Sequence, residues 1–62
     1  MYRIIVPIAG RNEIFKTKHY EYRDGIIHFK GICLTAPVEK QTDKNYNIVV
    51  GGGNIIIEFN GK

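Results

Sequence analysis

The stretch Tyr20–Phe29 reads Tyr-Glu-Tyr-Arg-Asp-Gly-Ile-Ile-His-Phe, an Asp-Gly pair set between two runs rich in aromatic and β-branched residues. A two-residue turn between antiparallel strands needs positive φ at both central positions, which Asp and Gly accept, so this arrangement is the strongest local hairpin signal a chain carries. With Asp24-Gly25 as the loop, Arg23 faces Ile26, Tyr22 faces Ile27 and Tyr20 faces Phe29. Glu21 then faces His28, and His19 faces Lys30, on the opposite side. The register separates polar from apolar residues and assigns Tyr20, Tyr22, Ile27 and Phe29 to the core.

Alternation extends this hairpin and adds three further strands, giving five in all over Tyr2–Ile8, Glu13–Tyr22, Ile26–Leu34, Tyr46–Val50 and Ile55–Phe59, with a turn at Ala9-Gly10-Arg11-Asn12. Pro7 lacks an N–H for the ladder, which predicts that the first strand is an edge or is bulged near its end. In the third, Ile27 and Phe29 are odd-numbered while Ile32 and Leu34 are even. A one-residue slip at Lys30-Gly31 would bring all four to the core side, and the glycine there suggests a bulge or sharp bend. Residues 36–41, with Thr35 as cap and Pro37 in the first turn, suit one helical turn. Placing Val50 opposite Ile55 predicts a second hairpin around Gly51-Gly52-Gly53-Asn54, with Tyr46, Ile48 and Val50 against Phe59, Ile57 and Ile55. The expected fold is all-β, one small domain over residues 1–62, a five-stranded antiparallel barrel or strongly curled sheet of OB-like or SH3-like kind.

A 62-residue chain buries only about 60% of the surface its unfolded form exposes. Its single cysteine, Cys33, allows no internal disulfide and no cysteine-based metal cluster, and suits a reducing, cytoplasmic setting. No apolar run approaches the roughly 18 residues of a membrane-spanning helix, so no membrane partner is expected. The net charge of +3 falls wholly in residues 1–31, and residues 32–62 are neutral overall. A small domain without staples commonly gains stability from a second copy or a partner.

Few residues invite chemistry. The glycines of Gly51-Gly52-Gly53-Asn54 suggest a phosphate loop, but that needs a following helix and a Lys-Ser/Thr pair; a strand is expected to follow here. His19 and His28 with Glu21 offer two imidazoles and a carboxylate without a convincing further metal ligand. Cys33 has no partner base and reads as a small core hydrophobe. Paired carboxylates and a Ser/His/Asp set are both missing from the sequence. The expectation is a non-enzymatic binding module with no cofactor and no metal.

Two surfaces compete for that role. Ile5, Ile26, Val49 and Ile56 fall on the side that alternation assigns to solvent, and a contiguous apolar patch marks protein contacts. They point to self-association as a homo-oligomer, or to docking on a larger protein as inhibitor or adaptor. The alternative is single-stranded nucleic acid on the basic second and third strands, through Lys16, Lys18, His19, Arg23, His28 and Lys30, where cations track phosphates and rings stack on bases. If the tyrosines are core, function at this hairpin belongs to the other face, among His19, Glu21, Arg23, His28 and Lys30.

Overall fold

The computed structural model describes residues 1–50 and 54–59. Five antiparallel strands form one sheet: β1 (Tyr2–Ile8), β2 (Arg11–Arg23), β3 (Ile26–Cys33), β4 (Lys44–Val49) and β5 (Ile56–Phe59). Their order across the sheet is β4-β3-β2-β1-β5. A single 3₁₀ turn, Val38–Lys40, lies within the stretch expected to be helical. It is held by the Lys40 N–H donating to the Pro37 carbonyl at 2.8 Å, while Gln41 Nε2 donates to the Ala36 carbonyl at 2.9 Å.

Both short turns carry positive φ at their two central residues: Ala9 (51°) and Gly10 (83°), then Asp24 (52°) and Gly25 (73°). This is the signature of type I′ turns, whose twist matches that of the flanking strands. The Asp24-Gly25 register is as expected near the turn, with Arg23 on Ile26, Tyr22 on Ile27, Glu21 on His28 and Tyr20 on Phe29.

The ladder then shifts between Thr17 and Tyr20. Beyond the shift Thr17 pairs with Gly31 and Phe15 with Cys33, so Lys18 and His19 of β2 stand against Lys30 alone. The slip therefore sits where it was expected along the ladder, but its extra residue belongs to β2. Consequently β3 keeps one phase: Ile27, Phe29, Gly31 and Cys33 share the core face. Ile32 is half-buried, outside the core cluster, and Leu34 is exposed, which corrects their assignment to the core side. Gly31 has a steric reason to be glycine. A Cβ there would stand 2.2 Å from the Lys16 carbonyl oxygen, so β2 closes directly onto it.

The bulge curls the sheet. β2 and β4 are separated by β3, and flat neighbouring strands lie about 4.8 Å apart. Yet the Phe15 ring of β2 and the Tyr46 ring of β4 have centroids only 4.9 Å apart. The concave side holds the core: Ile4, Val6, Phe15, Ile27 and Phe29, with Cys33, Tyr46, Ile48, Val50 and Ile55 packed against it. Ile4 is 0% exposed, flanked in register by Phe15 on one side and Ile57 on the other.

Several expectations change here. β4 and β5 do not form a hairpin: β4 pairs with β3, from Ile26–Val49 to Gly31–Lys44, and β5 pairs with β1, from Tyr2–Phe59 to Ile5–Ile56. In the sense of the sheet β4 and β5 run the same way, which forbids an antiparallel pair between them. Alternation chose the correct core face for β4, whereas on the β5 side only Ile55 packs against the core and Ile57 and Phe59, expected there too, are exposed. Alternation carries no information about a neighbour. β1 is interior rather than an edge. Pro7 is accommodated because β5 stops at Ile5, leaving the Pro7 side of β1 without a ladder partner. Among the described residues β4 and β5 remain unpaired edges, and the sheet is not closed into a barrel. Among the described residues no helix is long and apolar enough to cross a membrane. The glycine run at 51–53 lies outside the described residues.

Candidate functional site: the bulge, the convex face and the β5 edge

Thr17 is the keystone of the bulge. Its side chain is buried, and its hydroxyl reaches the carbonyls of His19 and Lys30 at 2.7 Å each, a donor shared between the two. These are the carbonyls on either side of the irregular step, and buried acceptors need a partner. The His19 N–H also approaches Thr17 Oγ1 at 3.4 Å. The extra residue is thus fixed in place, and it throws Lys18 and His19 outward, both exposed.

On the convex face beside this bulge is a groove of about 450 Å³ lined by Lys16, Thr17, Lys18, His19, Lys30 and Ile32, with Asp43 also at its wall. A shallower groove adjoins it through His19 and Lys30 and continues past Glu21, His28, Asn45 and Asn47, with Tyr20, Phe29 and Tyr46 also at its wall. Of the six basic residues expected to act together, Lys16, Lys18, His19 and Lys30 share the first groove and His28 lines the second. Arg23 stands apart, its Nε 2.9 Å from Glu21 Oε1. The His28 Nδ1–H meets Asn47 Oδ1 at 2.7 Å. Among the described residues no three or more His, Cys, Asp or Glu side chains gather as a metal site.

No tyrosine or phenylalanine lines the first groove among the described residues. Tyr20 and Tyr22 follow the bulge on the concave side, yet both are exposed, Tyr22 at 64%. The core placement expected for them is corrected: the curl ends at Phe29 and Ile27, and the β2 side chains opposite overhang its rim. Tyr20 stacks on Tyr2 (centroids 4.9 Å, 18° between planes), and Tyr2 meets Phe59 of β5 at 5.1 Å. Phe59 is itself 67% exposed. This aromatic strip was missed in the sequence because alternation reports a side chain's face and not where the opposing layer stops.

The four outward aliphatics separate into pairs. Ile5 lies opposite Ile56 and also opposite Ile14, a row across β5, β1 and β2. Ile26 lies opposite Val49 at the far end of β3. Ile56 and Val49 are exposed; Ile5 and Ile26 are half-buried. Every residue of β5 is exposed, three of its four are apolar, and its one charged residue, Glu58, is matched with Arg3 at 3.8 Å.

Cys33 belongs to a rim cluster. Glu13 accepts from Thr35 Oγ1 through Oε1 and from Arg11 Nε through Oε2 at 3.0 Å, with Cys33 Sγ 3.7 Å from Oε1. The Thr35 hydroxyl is the main cause holding the Glu13 carboxyl below its ordinary value, opposed by desolvation and helped by Arg11 and Cys33. Burial pushes the Tyr46 hydroxyl up, with the nearby Cys33 adding to the shift. These groups satisfy one another.

No protein-family model, curated protein or solved structure matches the chain.

Proposed function

We propose that the protein is a non-enzymatic binding module that acts through its surface, joining another protein, and in the first place a second copy of itself, along β5. The observation that carries this reading is the contrast between the two sheet edges. Edge strands are normally protected by lysine, proline, bulges or inward charges, because an open row of N–H and C=O groups templates another strand. β4 follows that rule with Lys44, Asn45 and Asn47. β5 does not: it offers Ile56, Ile57 and Phe59 around a single glutamate. The adjoining Phe59–Tyr2–Tyr20 strip adds the exposed aromatic rings that anchor protein interfaces.

Two copies of β5 related by a two-fold axis can pair without opposing like charges. An axis through Ile57 sets Ile57 opposite its counterpart, Ile56 opposite Glu58, and Ile55 opposite Phe59, which continues the apolar concave face across the junction. An axis through Glu58 sets like charges opposite and is disfavoured. Such strand addition supports the barrel reading in a modified form: the curled sheet, OB-like or SH3-like in size, stays open until a partner strand extends it. Sedimentation equilibrium tests the reading. We expect a reversible dimer in wild type that is lost in Ile56→Lys and in Phe59→Lys, both exposed positions. A monomer up to millimolar concentration removes self-association and leaves a different protein partner to be sought.

A further inference from the structure

A second surface is set apart by how its charges are matched. All three arginines are paired with glutamates: Arg3 with Glu58, Arg11 with Glu13 and Arg23 with Glu21. Lys16, Lys18 and Lys30 take part in no ion pair among the described residues, and all three line the one groove at the bulge. Against them stands only Asp43 among the charged side chains of its lining, so those side chains carry an excess of two positive charges. The bulge concentrates this charge, because it sets two outward residues of β2 against one of β3. Ile32 and Gly31 give the groove an apolar floor.

We infer that this groove binds the sugar–phosphate backbone of a nucleic acid, by charge and without base stacking. Free ammonium groups act as point charges and suit phosphates, whereas carboxylate recognition favours the forked guanidinium, and every guanidinium here is already engaged. No tyrosine or phenylalanine ring lines this groove among the described residues; Tyr20, Phe29 and Tyr46 line the adjoining one instead. The ligand is therefore held by its backbone, with no preference for base sequence.

Fluorescence anisotropy on the full chain, with a labelled thymidine 20-mer and a labelled 20-base-pair duplex of mixed sequence, tests this. Three phosphate contacts predict a log–log salt slope of about −2.1 for the single strand and about −2.7 for the duplex, or roughly 20- to 40-fold weaker binding at 200 mM than at 50 mM salt. Each lysine replaced in Lys16→Gln, Lys18→Gln and Lys30→Gln should lower the slope by about one, and the triple variant should bind neither probe. Tyr22→Leu should bind as wild type. The inference fails if neither probe binds at 50 mM salt, if the triple variant binds like wild type, or if Tyr22→Leu abolishes binding. It fails equally if poly-glutamate or anionic vesicles compete as well as the oligonucleotides do, since the groove would then be selective for a different anion.

Discussion

At the scale of single residues, two polar side chains contribute more than their number suggests. Thr17 is 3% exposed and bonds to both carbonyls beside the bulge. Thr17→Val keeps the shape and removes the donor, so it should cost about 1–3 kcal/mol by leaving buried acceptors unpaired. Thr17→Ser, which keeps the hydroxyl, should cost less; urea unfolding midpoints of the two variants check this. Glu13 gives the fold a pH dependence of known sign. Its folded carboxyl lies below the ordinary 4.5, chiefly through the Thr35 hydroxyl. A depressed acid contributes stability that is whole above its unfolded value and is lost as pH falls through the folded one. The difference in melting temperature between wild type and Glu13→Gln should therefore hold from pH 7 down to about 4.5 and narrow below it. Neither role was legible in the sequence. A threonine in a strand and a glutamate after a turn look ordinary until the bulge and the Thr35 loop bring their partners in.

At the scale of elements, the turns and strand faces were legible, and the strand neighbours were not. Asp24-Gly25 announces its turn because both residues tolerate the backbone it needs. Ala9 does not: it sits at φ 51°, where an L-residue other than Asn, Asp or Gly is strained. Ala9→Asn supplies a residue at ease there and makes the favoured Asn-Gly turn, so it should stabilise the fold by about 1 kcal/mol, read as a raised thermal midpoint. The bulge was half legible. The change of parity from Ile27 and Phe29 to Ile32 and Leu34 signalled a slip, but parity cannot say which strand holds the extra residue. Gly31 was read as marking a bulge or sharp bend; a bulge does lie opposite it, and the glycine itself allows a close approach, with the Lys16 carbonyl near where a Cβ would be. The pairing of β5 with β1 in place of β4 was invisible for a general reason. A local hairpin and a long-range pair satisfy the same alternation, and Ile57 covers Ile4 equally well from either route.

At the scale of the whole molecule, the curl creates two surfaces with different chemistry. The concave rim and β5 expose aromatic and aliphatic side chains along an unprotected edge. The convex face gathers unpaired lysines at the bulge. Of the six basic residues of β2 and β3 that the sequence groups together, four share a groove and Arg23 stands apart. The aliphatics Ile5, Ile26, Val49 and Ile56 were also rightly placed outside the core, but they fall into two pairs at opposite ends of the sheet instead of one patch. Pairing decides such distances, and alternation does not contain pairing. Because the two surfaces are separate, changes at Ile56 or Phe59 should abolish self-association and leave the lysine groove intact.

The proposed completion of the β5 edge by a second copy is read directly by amide hydrogen exchange. Exchange of Ile56–Phe59 followed from about 10 μM to about 1 mM protein should slow with concentration, as newly paired amides become protected while those of β2 and β3 stay unchanged. Exchange at β5 that is independent of concentration over this range would contradict it.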